Sequence, residues 1–189
     1  MDKSASMPWF PAWGIGFAEP LVEVSEAVAQ FSEWRPSERW LLLAYDVACS
    51  EVRLWTAWTV LRRLEESGRM VARTCDAEFL RLISGTHQLS SAFERAGISS
   101  GDQSAWIIHL PETVVGEKFG QMKISRTSYL DNEIEATRLI EHLGAKLLAY
   151  RPVPSEAGLL RLGVIKSEDS IEAVRREEAF LLHTALADM

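Results

Sequence analysis

Cysteine is scarce, with Cys49 and Cys75 the only two in 189 residues. They form no C-x-x-C pair and cannot supply a four-ligand zinc site, so free thiols in a reducing cytoplasm are expected. Long apolar runs are missing too. No segment reaches the roughly 20 apolar residues that a membrane-spanning helix requires. The start of the chain, with Asp2, Lys3, Pro8 and Pro11, lacks the uninterrupted apolar stretch of a signal peptide. No fixed-period repeat is visible. Positive charge is in deficit, 20 Lys and Arg against 27 Asp and Glu for a net −7, which opposes non-specific nucleic-acid binding and confines any such role to a local basic patch. Catalytic signatures are absent: there is no G-x-x-x-x-G-K loop, no H-E-x-x-H and no G-x-S-x-G. Gly14 and Gly16 make a bare G-x-G without the third glycine of a dinucleotide site. His87, His109, His142 and His183 stand in unrelated contexts, and the acids are scattered over helix faces. No catalytic residue, metal ligand or cofactor is therefore assigned.

What is present suits one domain over residues 1–189, 47% hydrophobic and 25% charged. The most informative stretch is Glu78 to Leu110. Its first residues alternate, with Leu80, Leu82 and Ser84 opposite Phe79, Arg81 and Ile83, which predicts a strand ended by Gly85. Thr86 is the expected cap of a short helix from His87 to Ala96, with Gly97 as a left-handed stop. Ala105 to Ile108 is then an inner strand. Further strands are expected near residues 13–18, 40–45 and 146–150, and helices at 25–34, 50–66, 131–143, 155–163 and 167–187. Residues 1–11 read as a flexible lead, although Trp9 and Phe10 imply packing at its end. Residues 112–130 read as a loop or a hairpin extension around Val114, Val115 and Phe119. The expected fold is α/β or α+β, a small central mixed sheet flanked by helices on both sides.

Two features go beyond fold. The 50–66 helix carries Trp55, Trp58 and Leu61 on an apolar arc wider than one core needs, which marks either a sandwiched helix or a partner-binding face. Arg62, Arg63, Arg69 and Arg73 form the most basic short segment; between residues 51 and 81 six arginines meet five acids. Next to it, Ser84-Gly85-Thr86 at a strand-to-helix turn, with Arg81 and His87 close by, could lodge an anion at the helix N-terminus. That local reading supports a small-molecule or anion-binding α/β domain as the alternative function.

Asp46 with the long helix after it, Gly68 to Thr74, the Glu78 segment, Ser84-Gly85-Thr86-His87-Gln88-Leu89-Ser90-x-Ala92-Phe93 and Gly97-Ile98 together resemble the smallest subunit of the KEOPS complex. This is the PRPK-binding protein family, which has archaeal counterparts. Leu181-Leu182-His183-Thr184-Ala185-Leu186 is similar to that family's closing segment. The likeness covers residues 40–110 best, and His87 departs from the arginine or lysine typical of archaeal members. The resemblance implies a non-catalytic cytoplasmic subunit in tRNA threonylcarbamoyladenosine synthesis. Such a subunit binds and activates the complex's small atypical kinase as an ATPase and helps recruit tRNA through its 3′ CCA end. It makes Trp55, Trp58, Leu61, Phe180 and Leu181 candidate kinase contacts. Arg62, Arg63, Arg69, Arg73, Arg81, Gly85, Thr86, His87 and Gln88 become candidate tRNA contacts. Binding of tRNA by the chain alone is expected to be weak and salt-sensitive.

Overall fold

The computed structural model describes residues 7–113 and 122–187. Strands β1 (Ala12–Gly16), β2 (Trp40–Ala44), β3 (Ser104–His109) and β4 (Lys146–Leu148) form a sheet in the order β2-β3-β1-β4. Helices α1 (Val24–Trp34), α2 (Glu51–Glu66), α3 (Cys75–Ser84), α4 (Leu89–Ala96), α5 (Ser128–Asp131), α6 (Glu133–His142), α7 (Glu156–Arg161) and α8 (Ala173–Leu186) surround it. The architecture is α+β, with helices over both faces of a small sheet. Among the described residues no helix is long and apolar enough to cross a membrane.

Alternation along the strands sorts the core into two layers. Ala12, Leu41, Leu43, Trp106 and Ile108 meet Leu54, Trp58, Phe79, Leu82 and Phe180 on one face. Trp13, Ile15, Trp40, Leu42, Ala105 and Ile107 meet Phe31, Leu139 and Ile140 on the other. Helix α2 is the backbone of the first layer: Ser50 caps it by accepting the Arg53 N–H (3.2 Å), and Gly68 with φ 63° follows its end.

The expected strand at 78–84 is a helix instead. Ala77 through Ser84 are all buried, so apolar residues meet protein on every side and a two-residue alternation no longer distinguishes strand from helix. Asp76 and Glu78 in the first turn, Arg81 in the last, and Gly85 just beyond favour the helix. This change also removes the expected strand-helix-strand unit, and the expected mixed sheet is corrected with it: among the described residues every strand pair is antiparallel. Helix α4 starts at Leu89, two residues later than expected, and Gly97 after it is extended at φ −74° rather than left-handed. Glycine is still needed there because an added Cβ would lie 2.5 Å from the Phe93 carbonyl oxygen.

The end of the expected flexible lead is fastened down. Phe10 is fully buried, its N–H donates to Glu51 Oε2 (2.6 Å), and the Pro8 carbonyl accepts Trp55 Nε1 (2.8 Å). Arg151 clamps the same segment, donating from Nη2 to the Phe10 carbonyl (2.9 Å) and from Nη1 to that of Ala12 (2.5 Å), while its guanidinium stacks over Trp9 and Tyr129. The hairpin expected around Val114, Val115 and Phe119 lies outside the described residues; α5 begins at Ser128, inside the interval read as loop.

Candidate functional site at the turn between α3 and α4

The turn from Ser84 to Gln88 joins two helices, not a strand and a helix. Gly85 sits at its start in the left-handed region, φ 64° and ψ 30°, a conformation that favours glycine. Space demands glycine as well: a Cβ there would collide with the His183 ring of α8. His183 Nε2 is 2.9 Å from the Ser84 carbonyl oxygen, which accepts its N–H. Burial pushes the His183 pKa below the ordinary histidine value, with the bond to Ser84 acting in the opposite direction.

Two buried arginines tie this turn to the rest of the chain. Arg53 of α2 is fully buried, and burial pushes its guanidinium down to about 10. It donates from Nε to Thr184 Oγ1 (2.9 Å), from Nη2 to the Ile83 carbonyl (2.7 Å) and from Nη1 to the Val47 carbonyl, and it lies 4.6 Å over the Phe180 ring. Arg81 donates from Nε and Nη2 to Glu78 Oε1 (3.1 and 2.7 Å) and from Nη1 to the Ala187 carbonyl (2.9 Å). Glu78 Oε2 accepts the Val71 and Ala72 N–H groups at 3.1 and 2.8 Å. These charges are paired and hydrogen-bonded within the chain, the condition under which burial is tolerated.

The anion seat expected beside Arg81 is thereby corrected. Arg81 is 1% exposed and its donors are spent on Glu78 and Ala187. Gly85 N–H bonds back to the Leu82 carbonyl and Gln88 N–H to Thr86 Oγ1. The carbonyl end of α3 also faces the turn, opposing the positive end of α4. His87 and Gln88 are exposed and Thr86 and Gly85 half-buried, so these four form the accessible part of the turn.

The basic segment divides. Arg62 is 7% exposed, pairing with Glu65 and donating to the Thr113 carbonyl (2.8 Å), which removes it from the surface set. Arg63, Arg69 and Arg73 are exposed. Arg73 precedes α3 and Gly85 follows it, so a ten-residue helix of about 15 Å separates the basic segment from the turn.

The expected tryptophan face is likewise corrected. Trp55 and Trp58 are 2% and 1% exposed, packed edge to face 5.2 Å apart, and their indole N–H groups donate to the Pro8 and Pro111 carbonyls. Leu61 and Phe180 are fully buried in the same layer, and Leu181 is half-buried. The wide apolar arc of α2 is the signature of a sandwiched helix, covered by the sheet, by α3 and by α8. Among the described residues, apolar surface left open near this layer includes Val52 on α2 and, on α8, Leu182 and Leu186, which stand one turn apart.

Sequence reasoning missed Arg53, Thr184 and the Glu78–Arg81 pair. The signal was available: Arg53 shares its helix face with Ala57 and Leu61 at four-residue spacing, and Glu78 and Arg81 stand three apart inside an apolar run. Among the described residues no group of three or more His, Cys, Asp or Glu side chains could hold a metal ion. Set against known proteins, the chain matches no protein-family model and no curated protein.

Proposed function

We propose that the chain is a non-catalytic subunit of a KEOPS-type complex, holding the small atypical kinase through α8 and offering tRNA the turn between α3 and α4. One observation carries this reading. The three stretches that bear the sequence resemblance, α2, the α3–turn–α4 unit and the end of α8, converge on Arg53 and Gly85 although they are as much as 131 residues apart. Residues that were similar in sequence are thus neighbours in space, with glycine required at their junction.

The contact set is narrower than the sequence alone supplied. For tRNA it consists of Thr86, His87 and Gln88 at the turn and Arg69 and Arg73 at the other end of α3, with Gly85 shaping the turn. A ligand touching both groups spans at least the length of α3, which suits an extended polynucleotide end better than a single phosphate. For the kinase it consists of Leu181, Leu182 and Leu186. The alternative of a small-anion site loses its cation, since Arg81 is committed to Glu78.

Filter binding with tRNA carrying or lacking its CCA end tests the RNA half. The chain is expected to bind intact tRNA weakly, with a salt slope of about −0.7 per phosphate neutralised, and truncated tRNA more weakly still. Equal affinity for the two overturns terminal recognition.

A further inference from the structure

Beyond the far end of α4 from that turn lies a pocket of about 200 Å³ between α1, β2, α3 and α4. Val24, Val28, Phe31, Leu80, Phe93 and Ile98 line it, and its mouth is open at Val28 and Phe93, 43% and 50% exposed. Leu41 and Leu42 line it as well. Consecutive strand residues point to opposite faces, so a pocket touching both lies along the outer edge of β2.

The hydrogen bonds along that edge leave gaps, Leu42 among them. Leu110 N–H donates to the Arg39 carbonyl (2.8 Å) and His109 N–H to that of Pro11 (2.9 Å). Antiparallel alternation with the observed register then turns Leu41 and Leu43 toward β3, and the backbone groups of Trp40 and Leu42 outward. At Trp40 both outward groups are satisfied, the carbonyl by Arg35 Nη1 (2.7 Å) and the N–H by the Ser37 carbonyl (3.2 Å). At Leu42 neither has a partner among the described residues, although the residue is 7% exposed. Buried backbone groups in proteins are almost always paired.

The rim adds a charge preference. Arg35 spends Nη1 on both Asp76 Oδ2 (2.5 Å) and Trp40, while Nε and Nη2 make no bond among the described residues. Both oxygens of Asp76 are engaged, Oδ2 by Arg35 and Oδ1 by the Ala77 N–H (2.8 Å). The open donors at the mouth thus belong to a cation.

We propose that this pocket binds an extended peptide segment, with one leucine- or phenylalanine-sized side chain inside, its backbone pairing with Leu42, and an acidic neighbour at Arg35. The volume fits: a cavity of about 150 Å³ suffices for benzene, so roughly one such side chain is accommodated. A small apolar molecule would fill the space and leave both Leu42 groups unpaired, whereas one peptide residue supplies a donor and an acceptor at ladder spacing. The inference requires neither the kinase nor tRNA and stands apart from the reading above.

The test is NMR titration of the full ¹⁵N-labelled chain with the blocked peptide Ac-Thr-Leu-Asp-Thr-NH2. Binding is expected to shift the Leu42 amide proton downfield and slow its exchange, with further shifts at Val28 and Phe93. N-methylation of the peptide's leucine, which removes its N–H donor, is expected to weaken binding roughly tenfold. Replacing its aspartate with asparagine is expected to weaken binding too, and isopentanol to leave the Leu42 amide unmoved. An unshifted Leu42 amide at the peptide's solubility limit overturns the proposal, as does equal binding of the N-methyl or asparagine peptide. A shift with isopentanol matching that of the peptide does the same. Because the peptide is varied and the protein is not, no folding defect can imitate these results.

Discussion

Gly85 and Gly68 share a left-handed φ, 64° and 63°, and have different neighbours: a Cβ at Gly85 meets the His183 ring, while one at Gly68 meets nothing within 4 Å. Gly68→Ala is expected to cost about 1–2 kcal/mol, the price of a left-handed L-residue. Gly85→Ala is expected to cost roughly 3 kcal/mol or more, because His183 must also leave Ser84. Urea denaturation of both variants measures the difference; equal losses contradict the packing of α8 on the turn. His109 offers a pH test. Burial first, and Arg39 second, lower its pKa to about 4, against Glu112, and its ring packs 4.6 Å from Trp40. Below pH 6.5 the unfolded chain takes up a proton that folded His109 refuses. Stability therefore falls as pH drops from about 6.5 toward 4, by roughly 2 kcal/mol after allowance for partial exposure. His183, also lowered, acts in the same sense. His109→Gln is expected to flatten part of this slope between pH 7.5 and 5, and an unchanged slope contradicts a neutral folded His109. Which residues are special was legible in part: Gly85 stands out in the sequence, but the ring it accommodates is 98 residues away, and no local pattern reveals that distance closed.

Elements marked by a cap, a stop or a short β-rich run between turns were readable, and a helix without a wet face was not. Helix α2 has a side-chain cap, a glycine stop and a polar stripe; β3 has turn residues before it and a short β-rich run. Helix α3 has no wet face from Ala77 to Ser84, so its pattern carries no period, and the same ambiguity hid the Glu78–Arg81 pair. The partners of Trp55 and Trp58 are carbonyls on either side of the sheet strands, Pro8 and Pro111, which no reading of α2 alone could supply. Among elements, α8 depends most visibly on polar ties, through Thr184, His183 and the Ala187 carbonyl. Arg53→Met is expected to leave the Ile83 and Val47 carbonyls and Thr184 without their donor and to cost roughly 3–5 kcal/mol. Hydrogen exchange should register the loss first in α8, ahead of the sheet. Uniform acceleration over the whole chain contradicts the view that Arg53 fastens that helix in particular.

At the scale of the whole molecule, the outer face of α8 is one of several exposed apolar places among the described residues. Leu182 and Leu186 face outward at 60% and 54% exposure from a helix whose inner stripe, Phe180, His183 and Thr184, is packed on the body. The turn at Thr86 to Gln88 opens beside that inner stripe. A partner on the outer face of α8 and RNA on the turn would thus bind on adjoining sides of one element, without competing for the same side chains. The most direct measurement is calorimetric titration of the purified chain with the small atypical kinase of its own genome, using the wild type and the Leu182→Glu, Leu186→Glu double variant. The account predicts a one-to-one complex with the wild type and its loss in a double variant that keeps its fold by circular dichroism. No heat of binding between two folded proteins, or binding that the double variant retains, would contradict it.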